Sequence, residues 1–330
     1  MNKYDIIRTM ADANGKAFKP FRDTTELKDY FETKGCTRKV PYFCINRHQH
    51  GSGYSIDAFD FEHHDNAPRM KFYCDFLQRH VIPNIAYNCD ASGVYPIELH
   101  DTHTYLGQDK GVYDNVFVFA KDSDDRMPCL VPDPYMIANY GGRLQVKDTR
   151  EFEAKEGKVV FCGGTTGSMD PKLNERIQVC QWGATKPFAH FGITNIVQIK
   201  EDIVYNAYPQ FRTQPFMSQE EQYKYKYILS IDGNTACWDR LMWIASSKSL
   251  AFKYDSKQIL WYYPLLMEDQ HFAGVTSDTM EKKYNYFEAN PVHAKWIINN
   301  ANHFVNTFAN ANAATMYMAH LLEAIAANKP

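Results

Sequence analysis

No uninterrupted apolar run in the 330 residues approaches the roughly 20 needed to cross a bilayer as a helix, which excludes a helical membrane span within them. The first stretch is interrupted by Lys3, Asp5, Arg8, Asp12 and Lys16, so it lacks the apolar centre of a secretory leader. None of the eight cysteines stands in a Cys-x-x-Cys pair, which removes the common redox and zinc spacings and predicts reduced, mostly buried thiols. Charge of one sign is lacking too. Thirty-six basic against 39 acidic residues leave a net charge of −3, so nothing attracts a phosphate polymer overall and no nucleic-acid partner is expected. Neither an internal repeat nor a low-complexity tract is present. The dinucleotide fingerprint G-x-G-x-x-G and the Walker loop are missing as well. With no leader, no span and a tail reading Ala-Asn-Lys-Pro, the expected location is cytoplasmic.

What is present is ample material for burial: 45% hydrophobic and 15% aromatic residues over 38.2 kDa, enough for two domains of ordinary size. Composition turns from aromatic to charged after Pro132, Pro134 and Gly141-Gly142, in the run 147–158, so the boundary is expected near residue 150. This gives domains 1–150 and 151–330. A short helix over 24–31, capped by Thr24 or Thr25, and a strand over 40–46 are predicted first. Met70, Tyr73, Leu77 and Val81 recur at three and four, which predicts a helix over 69–82 ended by Pro83. Residues 93–99 read as a strand ending in His100-Asp101, and 115–120 as a strand buried on both faces, ending in Lys121-Asp122. A carboxylate at a strand end can take a proton from a hydroxyl, so Asp101 and Asp122 are both candidate bases.

A further strand over 158–162 runs into Gly163-Gly164-Thr165-Thr166-Gly167. Glycines let a backbone approach a phosphate closely, and threonine hydroxyls with backbone amides can donate to it. Residues 225–231 repeat the pattern: a strand, the turn Asp232-Gly233-Asn234, then a helix over 238–245 with Leu241, Ile244 and Ala245 on one face. In an open α/β sheet, ligands sit in such loops beyond the carboxyl ends of the strands. A weaker strand is expected at 196–199, and two helices close the chain. One starts at Asn290-Pro291 with Ile297, Ala301, Phe304, Val305 and Phe308 inward; the other covers 315–327 with Met316, Ala319, Leu322 and Ala326 inward.

The blocks Lys224-Tyr225-Lys226-Tyr227, Asp232-Gly233-Asn234, Trp238, Arg240-Leu241, Ser249-Leu250, Tyr263-Pro264 and His271 resemble, in order and spacing, the core signature of glycosyltransferase family 90. That family includes protein O-glucosyltransferases and capsule xylosyltransferases. Phe161 to Gly167, followed by Asn174-Glu175-Arg176, is similar to a second family block, roughly Phe-Arg-Gly-Ser-x-Thr-Gly and then Asn-x-Arg. The resemblance covers residues 93–327. It implies an α/β fold of the GT-B type, two Rossmann-like domains facing across a cleft, the first serving the acceptor and the second the donor. It implies inverting transfer of glucose or xylose from a UDP-sugar co-substrate to a glycan or protein hydroxyl, with no metal or other cofactor required. Carried over, Gly164, Thr165, Thr166, Arg176, Asp232, Gly233, Trp238 and Arg240 would bind the donor, and Asp101, in competition with Asp122, would be the base. The chain departs from the pattern at His100 and Cys162, where arginine is usual. Many members also carry their arginine where Asp239 stands. Arg176 or Arg240 would then hold more of the diphosphate.

Two other readings are open. Asp122-x-Asp124, assisted by His48-x-His50, His63-His64 or His100-x-x-His103, could hold a divalent ion against a diphosphate in a metal-dependent transferase. Trp238, Trp261 and Tyr262 could instead stack on sugar rings in a protein that binds carbohydrate without catalysis.

Overall fold

A reciprocal cap between Asn2 and Asp5 starts the first helix, a signal the sequence reading passed over. The Asn2 side chain accepts from the amides of Tyr4 and Asp5, and the Asp5 carboxylate accepts from the amide of Asn2. This helix, α1 (Lys3–Gly15), opens a computed structural model that describes residues 2–34, 36, 39–48, 53–62, 65–101, 115–125, 128–138 and 146–329. The chain forms two compact units. One comprises Met1–Asn139, Gln258–Trp261 and Thr307–Pro330, the other Tyr140–Lys257 and Tyr262–Asn306. The single boundary expected near residue 150 is therefore replaced by a discontinuous division, because the end of the chain returns to the first unit.

In the first unit, α2 (Thr24–Thr33) is capped by Asp23, one residue before the expected Thr24 or Thr25; its carboxylate accepts from the amides of Thr25 and Glu26 at 2.9 Å each. β1 (Tyr42–Arg47) and β2 (Tyr54–Phe59) form an antiparallel pair. α3 (Ala67–Phe76) continues through a wider π-type turn, Leu77–Val81, and a 3-10 turn, Ile82–Asn84, where Pro83 ends the helical run as expected. Met70, Tyr73, Leu77 and Val81 are all fully buried along it.

β3 (Gly93–Pro96) completes a sheet of order β2-β1-β3, antiparallel throughout. Residues 48–53 are too short a connection for the crossover that parallel strands need, so this sheet differs from the Rossmann-like one expected for the first half. The run 116–120 is buried, but only β4 (Phe117–Val118) of it is laddered. After β5 (Lys121–Asp122), β6 (Cys129–Leu130) pairs with β4 in parallel, and α4 (Pro134–Ile137) follows. Phe43, Tyr95 and Phe117 stack with centroids 5.3 and 5.6 Å apart, fixing β3 against β4 just before residues 98–101.

The second unit begins with β7 (Glu156–Gly163), α5 (Glu175–Gly183), β8 (Ala189–Ile193), α6 (Glu201–Ala207), α7 (Gln219–Gln222), β9 (Tyr225–Ser230), α8 (Arg240–Ala245) and β10 (Leu250–Tyr254). β11 (Gln258–Ile259) belongs to the first unit and pairs with β5; β12 (Ala273–Val275), α9 (Met280–Ala289) and α10 (Pro291–Phe308) follow, and α11 (Ala311–Ala327) ends the chain. β12-β10-β9-β7-β8 make one all-parallel sheet. Its central strands are buried on both faces, as parallel sheets require: Val159 to Phe161, Tyr227 to Leu229 and Leu250 to Phe252.

The strand expected at 196–199 lies instead at β8, where Phe191 closes on the back of α5. A Cβ on Gly183 would stand 2.3 Å from Phe191 Cδ2. Gly183→Ala is therefore expected to lower stability by about 1–3 kcal/mol through overpacking. A urea midpoint equal to the parent's would show that this contact is wrong.

α11 starts four residues before the expected 315, because Asn310 accepts from the amide of Ala313. It packs on α1, where a Cβ on Gly15 would meet Leu321, Ala324 and Ile325 at 3.2–3.4 Å. Among the described residues no helix is long and apolar enough to cross a membrane. All eight cysteines are free thiols, and burial pushes that of Cys180 up to about 12, which leaves it unreactive.

Candidate functional site

The parallel sheet reverses its winding between β7 and β9, and the loops after these two strands lie side by side beyond their carboxyl ends. That is where open α/β sheets bind ligands. Six residues singled out from the sequence meet there: Gly164, Thr165, Thr166, Arg176, Asp232 and Gly233. Gly167, at φ 122°, takes a conformation that favours glycine, and its amide donates to Asn234 Oδ1 at 3.0 Å. At Gly233 a Cβ would lie 2.3 Å from Thr166 Oγ1, so only glycine lets the loops approach this closely.

Arg176 fastens the two loops. Its Nε donates to Asp232 O (3.1 Å), Nη1 to Gly164 O (3.1 Å) and Thr166 Oγ1 (2.6 Å), and Nη2 to Ile231 O (3.0 Å) and Cys237 Sγ (3.2 Å). A guanidinium has five N–H donors, and five protein acceptors take them. So engaged, Arg176 shapes the loop. Thr165, fully buried, is also committed. Its hydroxyl donates to Val197 O and accepts from the Val197 amide, both at 2.8 Å, and its own amide donates to Asn195 O. Asn174 reaches back from the cap of α5 to the carbonyls of Thr165 and Ser168. The amides of Gly164, Thr166 and Ser168 have no such engagement among the described residues.

Arg240, at the start of α8, lies over the Phe161 ring, 5.2 Å from its centroid, and donates from Nη2 to the carbonyl of Cys162 at 2.7 Å. Its Nη1 is buried with no hydrogen-bond partner among the described residues. Burial pulls its pKa below the ordinary guanidinium range. The cation thus reaches the main chain of the very position where the family pattern has arginine and this chain has Cys162. Trp238, 7% exposed, precedes it in the same loop.

Asp232 faces inward: Oδ1 accepts from the Cys237 amide at 2.9 Å and Oδ2 lies 3.9 Å from Lys253 Nζ. The Glu175 carboxyl is raised, first by burial and then by the Asp232 and Asp255 charges. Much of the remaining signature is scaffold. Lys226 pairs with Glu288 at 3.0 Å, Ser249 donates to Tyr225 O at 2.7 Å, and His271 accepts the Met267 amide on Nδ1; burial, with His303 nearby, holds the His271 imidazole below its usual pKa.

The carboxylates proposed as bases lie in the first unit. Asp101 Oδ1 is paired with Arg69 Nη1 at 3.0 Å. Asp122 accepts the Gln258 side-chain amide within the β5–β11 ribbon. Sequence reading missed Glu98, which is 1% exposed and contacts His100 Nδ1 at 2.7 Å. Its position two residues before His100 was the available signal. His50, His63, His64 and His103 lie outside the described residues. Among the described residues no three His, Cys, Asp or Glu side chains converge as a metal ligand set. Trp261 and Tyr262 are 2% and 0% exposed, Trp261 lying against Tyr317 at 4.4 Å, so with buried Trp238 they offer no open platform for a sugar.

Residues 192–328 match the model of Glycosyl transferase family 90. The matched stretch carries β9, α8 and the Asp232 loop. The chain is 33% identical over 165 residues to the O-glucosyltransferase LpsA of Dichelobacter nodosus, covering 49% of this chain and 47% of that protein, so it spans about half the length of that relative. A crystal structure of the C-terminal domain of the glycosyl transferase group 1 family protein LpcC from Francisella tularensis is 11% identical and aligns over 55% of this chain and 96% of that domain, with a TM-score of 0.31, too slight a likeness to carry an argument.

Proposed function

We propose that this chain is an inverting glycosyltransferase that moves glucose or xylose from a UDP-sugar to a hydroxyl of a glycan or protein. In this reading the second unit is the donor domain of a GT-B-type enzyme. The observation that carries it is the buried Nη1 of Arg240, unpartnered among the described residues, beside a glycine loop at the sheet's switch point. A donor in that state is suited to a phosphate oxygen, since burial without a partner is costly and an anion would relieve it. The amides of Gly164, Thr166 and Ser168 supply further donors. So does the Thr166 hydroxyl, whose oxygen accepts from Arg176 while its hydrogen is left to donate. Together they would stabilise charge developing on the leaving diphosphate, the task a metal ion performs elsewhere. One base acting on the acceptor, with direct displacement at the anomeric carbon, predicts inversion. Asp101, or failing it Asp122, would be that base.

Calorimetric titration with UDP, GDP and their glucose and xylose conjugates, each with and without EDTA, tests the reading. UDP binding that survives EDTA is expected; binding only with added metal would move the case to a metal-dependent enzyme, and no nucleotide binding would end it. In the same assay Arg240→Ala is expected to weaken UDP binding about tenfold or more, the scale of one charge-assisted hydrogen bond. Equal affinity would remove Arg240 from the phosphate site.

A further inference from the structure

We propose that Asp232 and Lys253 together hold one hydroxyl of the nucleotide sugar and make it a requirement for donor binding, an assignment that rests on the transferase reading above. Lys253, near the end of β10, is the register partner of Ser230 on β9, two residues before Asp232, and both belong to the second unit. The Lys253 and Asp232 side chains are 10% and 7% exposed, yet Nζ stands 3.9 Å from Oδ2, too far for a hydrogen bond. Oδ2 is buried with no hydrogen-bond partner among the described residues. Nζ makes no hydrogen bond among them either, although it lies over the Tyr263 ring, 5.4 Å from the centroid. A pair that served stability alone would close to contact, as Lys155 and Asp148 do at 2.6 Å.

A buried acceptor and a buried donor held apart in this way are costly, and one small group that both donates and accepts satisfies the two together. A hydroxyl does so: its hydrogen goes to Oδ2 while its oxygen accepts from Nζ. The surrounding charge excludes a phosphate oxygen. The Glu175 carboxyl, raised first by burial, is raised further by Asp232 and Asp255, with Lys253 opposing. Three carboxylates thus share this corner with one ammonium, and Arg176, whose Nε holds the Asp232 carbonyl, has all five donors engaged. An anion is repelled there, whereas a neutral hydroxyl is not. Arg240, with its buried Nη1 and positive charge, has the opposite character.

Arg176 also ties Asp232 to Gly164 and Thr166, so the pair stands beside the amides assigned to the diphosphate. In a UDP-sugar the ribose and the transferred sugar both adjoin that diphosphate, and each carries hydroxyls.

Calorimetry compares UDP with 2′-deoxy-UDP and 3′-deoxy-UDP, and UDP-glucose with its monodeoxyglucose analogues. One analogue is expected to bind the parent protein about tenfold or more weakly than the intact compound, because its missing hydroxyl leaves two buried groups unpaired. The set in which that analogue falls tells ribose from transferred sugar. Asp232→Asn and Lys253→Gln are each expected to erase most of this discrimination, the intact compound falling toward the analogue while the analogue changes little. Lys253→Arg keeps the charge pair, and so the fold, but its longer side chain reaches Oδ2 directly; it too is expected to lose the discrimination. A merely structural pair would weaken both compounds by the same factor and leave their ratio unchanged. That result, or equal affinity of the parent for every analogue, overturns the assignment while UDP binding and the transferase reading stand. A parent protein that binds no UDP overturns both.

Discussion

Arg176→Ala is expected to lower stability by at least about 3 kcal/mol and to abolish measurable UDP binding, although Arg176 itself has no donor left for a ligand. Removing the guanidinium leaves the carbonyls of Gly164 and Asp232 without their donor and that of Ile231 with only the Cys237 thiol, and a buried acceptor so stranded costs about 1–3 kcal/mol. The two loops would then separate. Arg176→Lys is expected to recover less than half of the loss, because an ammonium is a point and cannot span acceptors on both loops as the planar fork does. Denaturant unfolding and calorimetry on the two variants check this. Stability within about 0.5 kcal/mol of the parent, the range of neutral surface changes, would show that the loops are held by something else.

Asp148→Ala is expected to destabilise the second unit by about 3–5 kcal/mol, the usual result of stripping one partner from a buried ion pair. Asp148 Oδ2 lies 2.6 Å from Lys155 Nζ and accepts the Lys248 amide at 2.8 Å; the two side chains are 2% and 0% exposed. Lys155 also donates to Tyr223 O, just ahead of β9, so the pair fixes the entry of β7 beside it. Burial lowers the Lys155 pKa, with Asp148 opposing. Replacing both residues by apolar ones of similar size is expected to restore most of the loss, since neither charge is then left alone. A single variant as stable as the parent in denaturant would rule out a buried pair.

These two sites mark what could be read in the sequence and what could not. The parallel strands were legible because runs such as Val159 to Phe161 and Tyr227 to Leu229 are apolar at every position, and the glycine loops after them pointed to the switch point. The role of Arg176 was not legible: proximity to a glycine loop in sequence does not say which acceptors a five-donor side chain will meet. Asp148 and Lys155 sat in a charged run that served only to place a domain boundary, because composition cannot separate a paired charge from an exposed one. His100 looked like a lapse from the family pattern until Glu98, two residues away on the same buried segment, was seen to face it. Trp238, Trp261 and Tyr262 carried the opposite error, since aromatic residues are written alike whether they line a core or a surface.

The packing of α1 on α11 bears on how the chain is made. Ile7, Ala11 and Gly15 are covered by a helix some three hundred residues later, so an N-terminal portion leaving the ribosome exposes that apolar stripe until α11 has been made. The second unit, whose five strands all lie within residues 156–275, can close earlier. Folding order thus runs against chain order, and a nascent chain halted before α11 would carry a finished parallel sheet beside an unfinished first unit.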